Sequence, residues 1–222
     1  MDEAHLKKNR HEMVKKQLAG RDIYDKRVLA VMRDLPRHLF VPEMYWDEAY
    51  ADHPLPIGEN QTISQPYIVA LMTQSMALEG DETVLEVGCG SGYQAVVLAA
   101  LVKKVYSIER YTPLAEKATQ TIKELAISNV EIIVADGSLG LEEYAPYDGI
   151  MVTAAAPSVP QILLAQLSHT GRMVIPVGRR WEQYLQVWRR EEGSFVHSNL
   201  CAVSFVPLRG KEGWKEEEWR GG

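Results

Sequence analysis

The sequence predicts a doubly wound α/β fold, built on a mainly parallel, seven-stranded sheet with an antiparallel C-terminal edge and an N-terminal helical cap. Two observations lead to this prediction. Between residues 83 and 177, short apolar runs alternate with segments whose apolar residues recur at helical spacing, which is typical of parallel strands joined by crossover helices. Beyond residue 180, two β-type runs follow one another with only a short turn between them, which predicts an antiparallel hairpin.

The predicted strands are short and mostly apolar, as expected for strands covered on both faces. They lie at residues 84–87, 105–108, 130–135, 147–153, 173–177, 184–189 and 195–206. Helices are expected after the first, second and fourth strands, at residues 95–100, 113–125 and 159–167. Gly171 is expected to end the connection that leads into the fifth strand, and residues 192–194 are expected to form the turn of the hairpin.

The chain before this alternating region predicts helices that lie over the sheet. Residues 3–19 have one narrow apolar face, which indicates an amphipathic helix. Asp25 is suited to cap a second helix over residues 26–35, which Pro36 would stop. We expect a single domain over residues 1–222, with a helical cap, a core and a polar tail at residues 1–52, 53–208 and 209–222. The acid-rich tail is expected to be a solvated helix or a frayed end.

Composition and charge exclude several classes of function. The net charge of −6 gives no general attraction for nucleic acid. No apolar run approaches the roughly 18 residues of a membrane span, and residues 1–12 do not resemble a signal peptide. Cys89 and Cys201 alone provide neither a disulfide framework nor a metal cluster, and the six histidines lack metal-ligand spacing. We therefore expect a cytoplasmic monomer that binds no metal, membrane or nucleic acid.

Residues 53–66 form the least regular part of the core. They contain three prolines and no hydrophobic period, so the sequence predicts an irregular loop. Loops of this length within a compact domain are often functional. The next segment, residues 68–78, has helical spacing of its apolar residues, with Pro66 near its start.

Three glycines follow the first strand of the alternating region, and their spacing predicts the class of ligand. Gly88, Gly90 and Gly92 could form a turn against which a ligand can lie closely. The dinucleotide fingerprint needs its third glycine at position 93, where this chain has Tyr93. Glu86, two residues before the turn, would disfavour a diphosphate. We therefore expect Glu86 and the glycines to bind a cationic cofactor, S-adenosyl-L-methionine, with NAD and a ligand-free turn as alternatives.

Residues at the carboxyl ends of the later strands complete the predicted site, because these ends meet at one edge of a parallel sheet. Glu109 lies 109 − 88 = 21 positions after the first glycine, close to the roughly 20 expected for an acid that binds ribose hydroxyls, and Arg110 follows it. Asp136 and Gly137 end the third strand, where the acid could meet the adenine amino group or could simply form a surface turn. Thr153 and Ala154 begin a run of small residues that leaves room for a substrate, although a tight crossover would explain the run equally well.

Five segments together resemble the protein-L-isoaspartate O-methyltransferase family. They are Gly-Glu-Asn-Gln-Thr-Ile-Ser-Gln-Pro-Tyr-Ile-Val-Ala (58–70), Val-Leu-Glu-Val-Gly-Cys-Gly-Ser-Gly-Tyr (84–93), Tyr-Asp-Gly-Ile-Met-Val-Thr-Ala-Ala-Ala-Pro (147–157), Arg-Met-Val-Ile-Pro-Val-Gly (172–178) and Val-Ser-Phe-Val-Pro-Leu (203–208). The resemblance extends from about residue 28 to residue 208. It implies a Rossmann-like methyltransferase fold and the transfer of a methyl group from S-adenosyl-L-methionine, leaving S-adenosyl-L-homocysteine. The acceptor implied is the free carboxylate of L-isoaspartyl residues in damaged proteins, whose repair this step begins.

The resemblance also implies roles for single residues. Ser64 corresponds to the active-site serine of the family, and Glu109 and the Asp136-Gly137 pair correspond to cofactor-binding positions. Thr62 and Ile63 are assigned to the substrate together with Thr153 and Ala154. The chain departs from many relatives at Asn60, where they carry glycine, and Asn tolerates left-handed backbone better than most residues. The preceding Glu59 adds a negative charge near an anionic substrate.

The chemistry of such a transfer needs positioning more than proton transfer. A substrate carboxylate with a pKa of about 3.9 is already ionised at neutral pH, so no general base is required. A Ser64 hydroxyl that donates to one carboxylate oxygen would direct the other oxygen towards the methyl group. The same serine could instead cap the helix near Pro66, or do both. The alternatives are a methyltransferase with another acceptor, a nicotinamide oxidoreductase and a module that binds without catalysis.

Overall fold

The computed structural model describes residues 2–220, and it confirms the predicted mainly parallel sheet with an antiparallel edge. The strands of this sheet are β3 Thr83–Val87, β4 Lys104–Glu109, β5 Val130–Val134, β6 Tyr147–Val152, β7 Leu167–Arg179, β8 Glu182–Glu191 and β9 Ser194–Val203. Their order across the sheet is β5-β4-β3-β6-β7-β8-β9. The strands from β5 to β7 in this order are parallel, whereas β8 is antiparallel to both β7 and β9.

Apolar side chains of the sheet alternate between two hydrophobic clusters, one on each face, as the pleat of a strand requires. Val84 belongs to the cluster on one face and its neighbour Leu85 to the cluster on the other. The helices of the described chain are α1 Glu3–Met13, α2 Lys26–Asp34, α3 Pro66–Ser75, α4 Tyr93–Ala99, α5 Thr112–Glu124, α6 Gln161–Ala165 and α7 Glu216–Arg220. Helices α1 to α5 contribute to the Val84 cluster, and α6 contributes to the Leu85 cluster. None of the helices within residues 2–220 has both the length and the apolar character that a bilayer crossing requires.

The N-terminal helices form as predicted and pack on the face that carries α3 and α4. Helix α1 continues into a π-helical turn, Val14–Leu18, so the helical run ends one residue before the predicted end. The Asp25 side chain caps α2 by accepting a hydrogen bond from the amide of Arg27 (2.8 Å). Leu6 and Met32 are buried in the Val84 cluster. Met1 and residues 221–222, which the predicted cap and tail include, lie outside the described residues.

The irregular loop predicted for residues 53–66 is instead mostly a β-hairpin. Strands β1 (Leu55–Gly58) and β2 (Gln61–Ile63) pair antiparallel, and Glu59 and Asn60 between them have left-handed φ values of 50° and 55°. Burial along β1 alternates as in any half-buried strand, but the strand has only four residues and one of them is proline. A period of two is too short to recognise over such a length.

The fifth core strand begins earlier than predicted. Strand β7 starts at Leu167 instead of residue 173, because Leu167 already pairs with Tyr147 of β6 before the register shifts. Gly171 therefore lies inside the strand and does not end a connection. A side chain at this position would approach the Tyr147 carbonyl oxygen to 2.8 Å, which explains the glycine. Helix α6 is correspondingly short and ends at Ala165.

The last predicted strand ends three residues early, at Val203. The chain then crosses the carboxyl end of β6, where the Ala155 amide donates to the Val206 carbonyl and the Leu208 amide donates to the Ala155 carbonyl, both at 2.8 Å. The Gln183 side chain holds this crossing segment by accepting from the Phe205 amide (2.7 Å). Residues 204–208 thereby reach the edge of the sheet where the predicted site lies.

Candidate active site

A cavity of about 550 Å³ opens at the carboxyl ends of the parallel strands. Most of the predicted ligand-binding residues line it, and they come from five segments: the β1–β2 hairpin and the carboxyl ends of β3, β4, β5 and β6 with the connections that follow. These residues are Thr62, Gly88, Gly90, Glu109, Arg110, Gly137, Thr153 and Ala154. The strand ends therefore bring together residues that are up to 92 positions apart in the sequence (154 − 62).

The glycine turn that follows β3 depends on glycine at each of its three positions. Gly88, Gly90 and Gly92 have φ values of +98°, +56° and +85°, a region that other residues rarely adopt. A side chain at Gly88 would also lie 2.4 Å from the Thr153 hydroxyl oxygen. The Gly88 and Cys89 amides both donate to the Ile108 carbonyl of β4, at 2.9 and 3.0 Å. The turn is thus fixed to the neighbouring strand and leaves open the space beside it.

Glu109 connects the glycine turn to the end of β4. One of its carboxylate oxygens accepts from the Gly90 amide (2.8 Å), and the other accepts from the Tyr111 amide (2.9 Å). The residue is 5% exposed, yet it lines the cavity. Because each carboxylate oxygen has two lone pairs, both can accept a further hydrogen bond from a ligand hydroxyl.

Glu86 does not reach the cavity, contrary to the prediction. Its side chain is fully buried and accepts a hydrogen bond from the Ser107 hydroxyl of the neighbouring strand. The pleat of β3 explains this position, since Glu86 shares the face of Val84, whereas Val87 lines the cavity. Burial raises the pKa of Glu86 to about 8.

Asp136 also stays out of the cavity, and only its neighbour Gly137 lines it. One oxygen of the Asp136 carboxylate accepts from the Ser138 amide (3.0 Å) and hydroxyl (2.7 Å), and the other accepts from the Lys211 amide (2.8 Å). Burial alone would raise the pKa of Asp136, but these hydrogen bonds outweigh it and the pKa lies below its usual value. The acid therefore fixes a turn and anchors the segment around Lys211.

Ser64 lies in a small cleft beside the cavity, on the turn between β2 and α3. Four residues line both spaces, so the cleft and the cavity adjoin; they are Thr62, Gly88, Gly90 and Thr153. Ile63 lines the cleft but not the cavity. Ser64 is not the residue at the N-cap of α3, because Gln65 takes that place. None of the hydrogen bonds found within residues 2–220 involves the Ser64 hydroxyl.

Arg37 supports the Ser64 turn from inside the protein, a role that the sequence does not predict. Its fully buried guanidinium donates to the Ala49 carbonyl (2.8 Å) and to the Ser64 carbonyl (2.7 Å), and it lies 4.9 Å from the centre of the Tyr93 ring. Burial lowers the pKa of Arg37 to about 10. The one signal in the sequence is a lone arginine in an aromatic-rich segment, which does not indicate what the arginine contacts.

The charges around the cavity are mixed. The basic residues on its lining are Arg110, Arg180 and Arg209, and the acidic ones are Glu59, Glu109 and Glu216. A lining of both signs suits a ligand that itself carries both signs. Within residues 2–220, no group of three histidine, cysteine, aspartate or glutamate side chains is arranged so that it could hold a metal ion.

These features define a class of protein. A doubly wound sheet with a glycine turn after one strand and an acid at the end of the next is typical of nucleotide-cofactor enzymes, and the glycine spacing favours the adenosylmethionine-dependent methyltransferases among them. Within that class, the chain belongs to the protein-L-isoaspartate(D-aspartate) O-methyltransferase family, whose sequence model matches residues 8–213. The predicted family is thereby confirmed.

Two relatives illustrate the extent of the similarity. The protein-L-isoaspartate O-methyltransferase 1 of Syntrophobacter fumaroxidans is 53% identical over 211 residues, which cover 95% of this chain and 99% of the relative. The protein-L-isoaspartate O-methyltransferase of Methanoregula boonei is 51% identical over 206 residues, covering 93% of this chain and 95% of the relative.

Solved structures show the same fold. A Plasmodium falciparum structure, named as a protein-L-isoaspartate O-methyltransferase in complex with S-adenosyl-L-homocysteine, matches with a TM-score of 0.79 and 28% identity, over 90% of this chain and 98% of that one. Another protein-L-isoaspartate O-methyltransferase matches with a TM-score of 0.81 and 26% identity, over 93% of this chain and 67% of that one. The predicted Rossmann-like methyltransferase fold is confirmed by both.

Proposed function

We propose that this protein transfers the methyl group of S-adenosyl-L-methionine to the free carboxylate of L-isoaspartyl residues in damaged proteins and peptides, the step that begins their repair. Family membership supports the reaction. The observation that carries the proposal is the contact between two spaces: the Ser64 cleft and the larger cavity share Thr62, Gly88 and Thr153 as a common wall. An acceptor in the cleft and a cofactor in the cavity would therefore meet at that wall.

The residues around the cavity fit S-adenosyl-L-methionine. Side chains at Gly88 and Gly90 would meet Thr153 and Ile57, so these glycines keep open a surface on which a ligand can lie. We propose that Glu109 accepts hydrogen bonds from the ribose hydroxyls, and that Arg110 and Gly137 form further parts of the cofactor site. When bound, the cofactor supplies a methyl group on a sulfonium, which leaves as a neutral thioether. Glu86 and Asp136 would act indirectly, by supporting the strands and turns that line the cavity.

The Ser64 side chain lines the cleft, and its hydroxyl takes part in none of the hydrogen bonds found within residues 2–220. The Thr153 hydroxyl already donates towards the carbonyls of Val87 (3.1 Å) and Gly88 (2.5 Å), so its proton is used within the protein. We propose that Ser64 donates to one oxygen of the acceptor, while Ile63, Thr153 and Ala154 shape the surrounding wall. The carboxylate is ionised at neutral pH, so alignment is the main contribution of these residues, and alignment can lower a barrier by several kcal/mol.

A peptide assay tests the proposed reaction. The protein is incubated with labelled S-adenosyl-L-methionine and with matched peptides that carry L-isoaspartate or aspartate. We expect base-labile methyl ester on the isoaspartyl peptide alone, and equal labelling of both peptides would contradict the proposed specificity.

The Ser64→Ala variant separates catalysis from binding. It should lower kcat by about 10-fold or more, since one hydrogen bond to a charged group is lost, and leave the Kd for S-adenosyl-L-homocysteine nearly unchanged. Ser75→Ala is the matched control, because the Ser75 hydroxyl donates within α3 to the Leu71 carbonyl. Unchanged turnover in Ser64→Ala would refute the proposed role.

One observation favours a different acceptor for the same fold and cofactor. Glu59 is exposed on the lining of the cavity, and its carboxylate would repel an anionic substrate. If the acceptor is an isoaspartyl carboxylate, Glu59→Gln should lower the KM for the peptide about 2- to 3-fold at low salt. A substrate panel in which another acceptor reacts faster, together with an unchanged KM in Glu59→Gln, would support the alternative.

We also propose that the protein works in the cytoplasm as a monomer and without nucleic acid. The net charge of −6 supports the last point, because phosphate backbones would repel the chain. Light scattering coupled to size-exclusion chromatography tests the monomer, and a mass well above 25.0 kDa would contradict it.

A further inference from the structure

One wall of the cavity is built by residues that the family match does not include. The match ends at residue 213, whereas Glu216 and Trp219 of α7 both line the cavity. Trp219 is half-buried, although it belongs to a five-residue helix in which three of the other four residues are glutamates. A short acidic helix has little stability of its own in water, so contacts with the rest of the protein hold it in place.

The segment before α7 is anchored to the floor of the cavity. The Lys211 amide donates to Asp136 (2.8 Å) and the Glu212 amide donates to the Ser138 hydroxyl (3.0 Å), on either side of the cavity-lining Gly137. Gly210 allows this approach, since a side chain there would overlap the Asp136 carboxylate. The polar tail predicted from the sequence is therefore attached to the turn that was predicted to bind adenine.

Two further contacts hold α7 against this anchored segment. Arg209, whose side chain is 17% exposed, forms an ion pair with Glu216 (3.0 Å) and donates to the Trp214 carbonyl (3.2 Å). The Trp214 and Trp219 rings pack edge to face, with centroids 5.6 Å apart. Arg209 itself lines the cavity, so the ion pair lies at the edge of the ligand space.

We propose that α7 is a wall of the cofactor site that retains the bound cofactor and its product, with Trp219 packing against the ligand and the Arg209–Glu216 pair holding the helix closed. This inference rests on the proposed location of the cofactor. A tryptophan ring offers a large, rigid surface to a nucleoside. Because that surface would contact the part that S-adenosyl-L-methionine and S-adenosyl-L-homocysteine share, it should slow the release of both by the same factor.

The experiment measures cofactor release in the full chain and in three variants. Stopped-flow displacement gives koff, and titration calorimetry gives Kd, for both ligands. The variants are a chain ended after Gly213, Trp219→Ala and, as a matched control, Trp188→Ala, whose ring stacks on His197 at the antiparallel edge. We expect the shortened chain and Trp219→Ala to increase koff and Kd about 3- to 10-fold for both ligands, as the loss of one aromatic contact implies, and Trp188→Ala to change neither.

A spectroscopic measurement separates contact from general stability. Trp219→Phe removes one of the five tryptophans, and the fluorescence change on binding S-adenosyl-L-homocysteine should shrink in this variant but persist in Trp188→Phe. If the shortened chain does not fold, the Trp219 variants decide alone. Wild-type koff and an undiminished fluorescence change in the Trp219 variants would overturn the inference. Failure of the full chain to bind S-adenosyl-L-homocysteine would instead overturn the proposed cofactor site.

Discussion

Arg37 donates a hydrogen bond of 2.7 Å to the main-chain carbonyl of Ser64, 27 residues further along the chain. The same buried guanidinium donates to the Ala49 carbonyl, so it ties the N-terminal helical region to the turn that carries the proposed catalytic serine. Buried charges are retained only where partners offset their desolvation. If Ser64 binds the acceptor as proposed, this contact gives a residue of the N-terminal region an indirect part in catalysis, by positioning Ser64.

The Arg37→Met variant tests this relationship. The buried Ala49 carbonyl and the partly buried Ser64 carbonyl would lose their donor, at about 1–3 kcal/mol each, so the free energy of unfolding should fall by about 2–6 kcal/mol. The kcat should fall as well, while the Kd for the cofactor changes little, because Arg37 does not line the cavity. Urea unfolding and steady-state kinetics measure the two effects.

Controls distinguish positioning from general destabilisation. Arg37→Lys should recover part of the kcat, since an ammonium can still donate to both carbonyls. Arg33→Met removes a half-exposed arginine that pairs with Asp34, and it should leave kcat unchanged. A folded Arg37→Met protein with wild-type kcat would show that the contact is structural alone.

The sequence predicts those parts of the site that depend on local backbone geometry. The glycine turn and Glu109 can be recognised because short stretches of sequence show them: positive φ values favour glycine, and the end of a strand follows a short apolar run. The prediction for Glu86 rests on its closeness to Gly88 in the sequence. Closeness in sequence does not determine on which face of a strand a side chain lies, so the prediction places Glu86 in the wrong environment. The hairpin of residues 55–63 is missed because its strands are too short to show a period.

Contacts between distant parts of the chain leave no such pattern. Asp136 follows the third core strand, β5, which ends at Val134, and its carboxylate accepts from the Lys211 amide, 75 residues further along the chain. Trp219 reads as part of a polar tail because its five-residue helix is acidic, and only the folded chain places it at the cavity. Arg37 has no sequence feature that points to Ser64. The contacts of these residues are visible only in the folded protein.

The Gly88→Ala variant tests the need for glycine beside the proposed cofactor site. The new methyl group would approach the Thr153 hydroxyl to 2.4 Å at a φ of +98°, so it combines backbone strain with a clash. Gly193→Ala has similar strain, at a φ of +84°, but nothing lies within 4 Å of the new methyl group. We expect backbone strain to cost each variant about 1–2 kcal/mol of stability and the clash to lower the stability of Gly88→Ala further. Gly88→Ala alone should weaken cofactor binding, by about 10-fold or more. Equal affinities in the two variants would show that the close approach to Thr153 is unimportant.

Glu109→Gln tests the acid at the end of β4. An amide keeps one acceptor oxygen and gains two donors, so it cannot accept from the Gly90 and Tyr111 amides at once through two oxygens. The glycine turn should loosen and the ribose should lose an acceptor, which predicts a Kd for S-adenosyl-L-homocysteine that is about 10-fold or more higher. Titration calorimetry measures this change. Glu131→Gln, on the neighbouring strand and paired with Lys104, is the control, and an unaltered Kd in Glu109→Gln would remove Glu109 from the cofactor site.

The raised pKa of the buried Glu86 should make the stability of the protein depend on pH, and burial determines the sign of this dependence. Its pKa is about 8 in the folded protein, against 4.5 for an unperturbed glutamate, so the folded state binds the proton more tightly than the unfolded state. The protein should therefore lose stability as the pH rises from about 4.5 to about 8, with little further change above. Burial is the main cause, and Glu109 adds to the effect by repulsion, whereas the Ser107 hydrogen bond opposes it.

The Glu86→Gln variant isolates this contribution, because glutamine keeps the shape of the side chain but cannot ionise. From pH 5.5 to pH 8.0, the ionisation of Glu86 should lower the free energy of unfolding of the wild type by about 3 kcal/mol. The variant lacks this loss, so its free energy of unfolding should rise by about 3 kcal/mol relative to that of the wild type over the same range. Urea unfolding at both pH values measures the difference.

Any fixed loss from the altered hydrogen bond with Ser107 cancels in this comparison. Glu116→Gln, which changes an exposed acid on α5, is the control for the removal of one carboxylate. A Glu86→Gln curve parallel to that of the wild type would mean that Glu86 ionises normally in the folded protein, because only a raised pKa makes the two curves diverge.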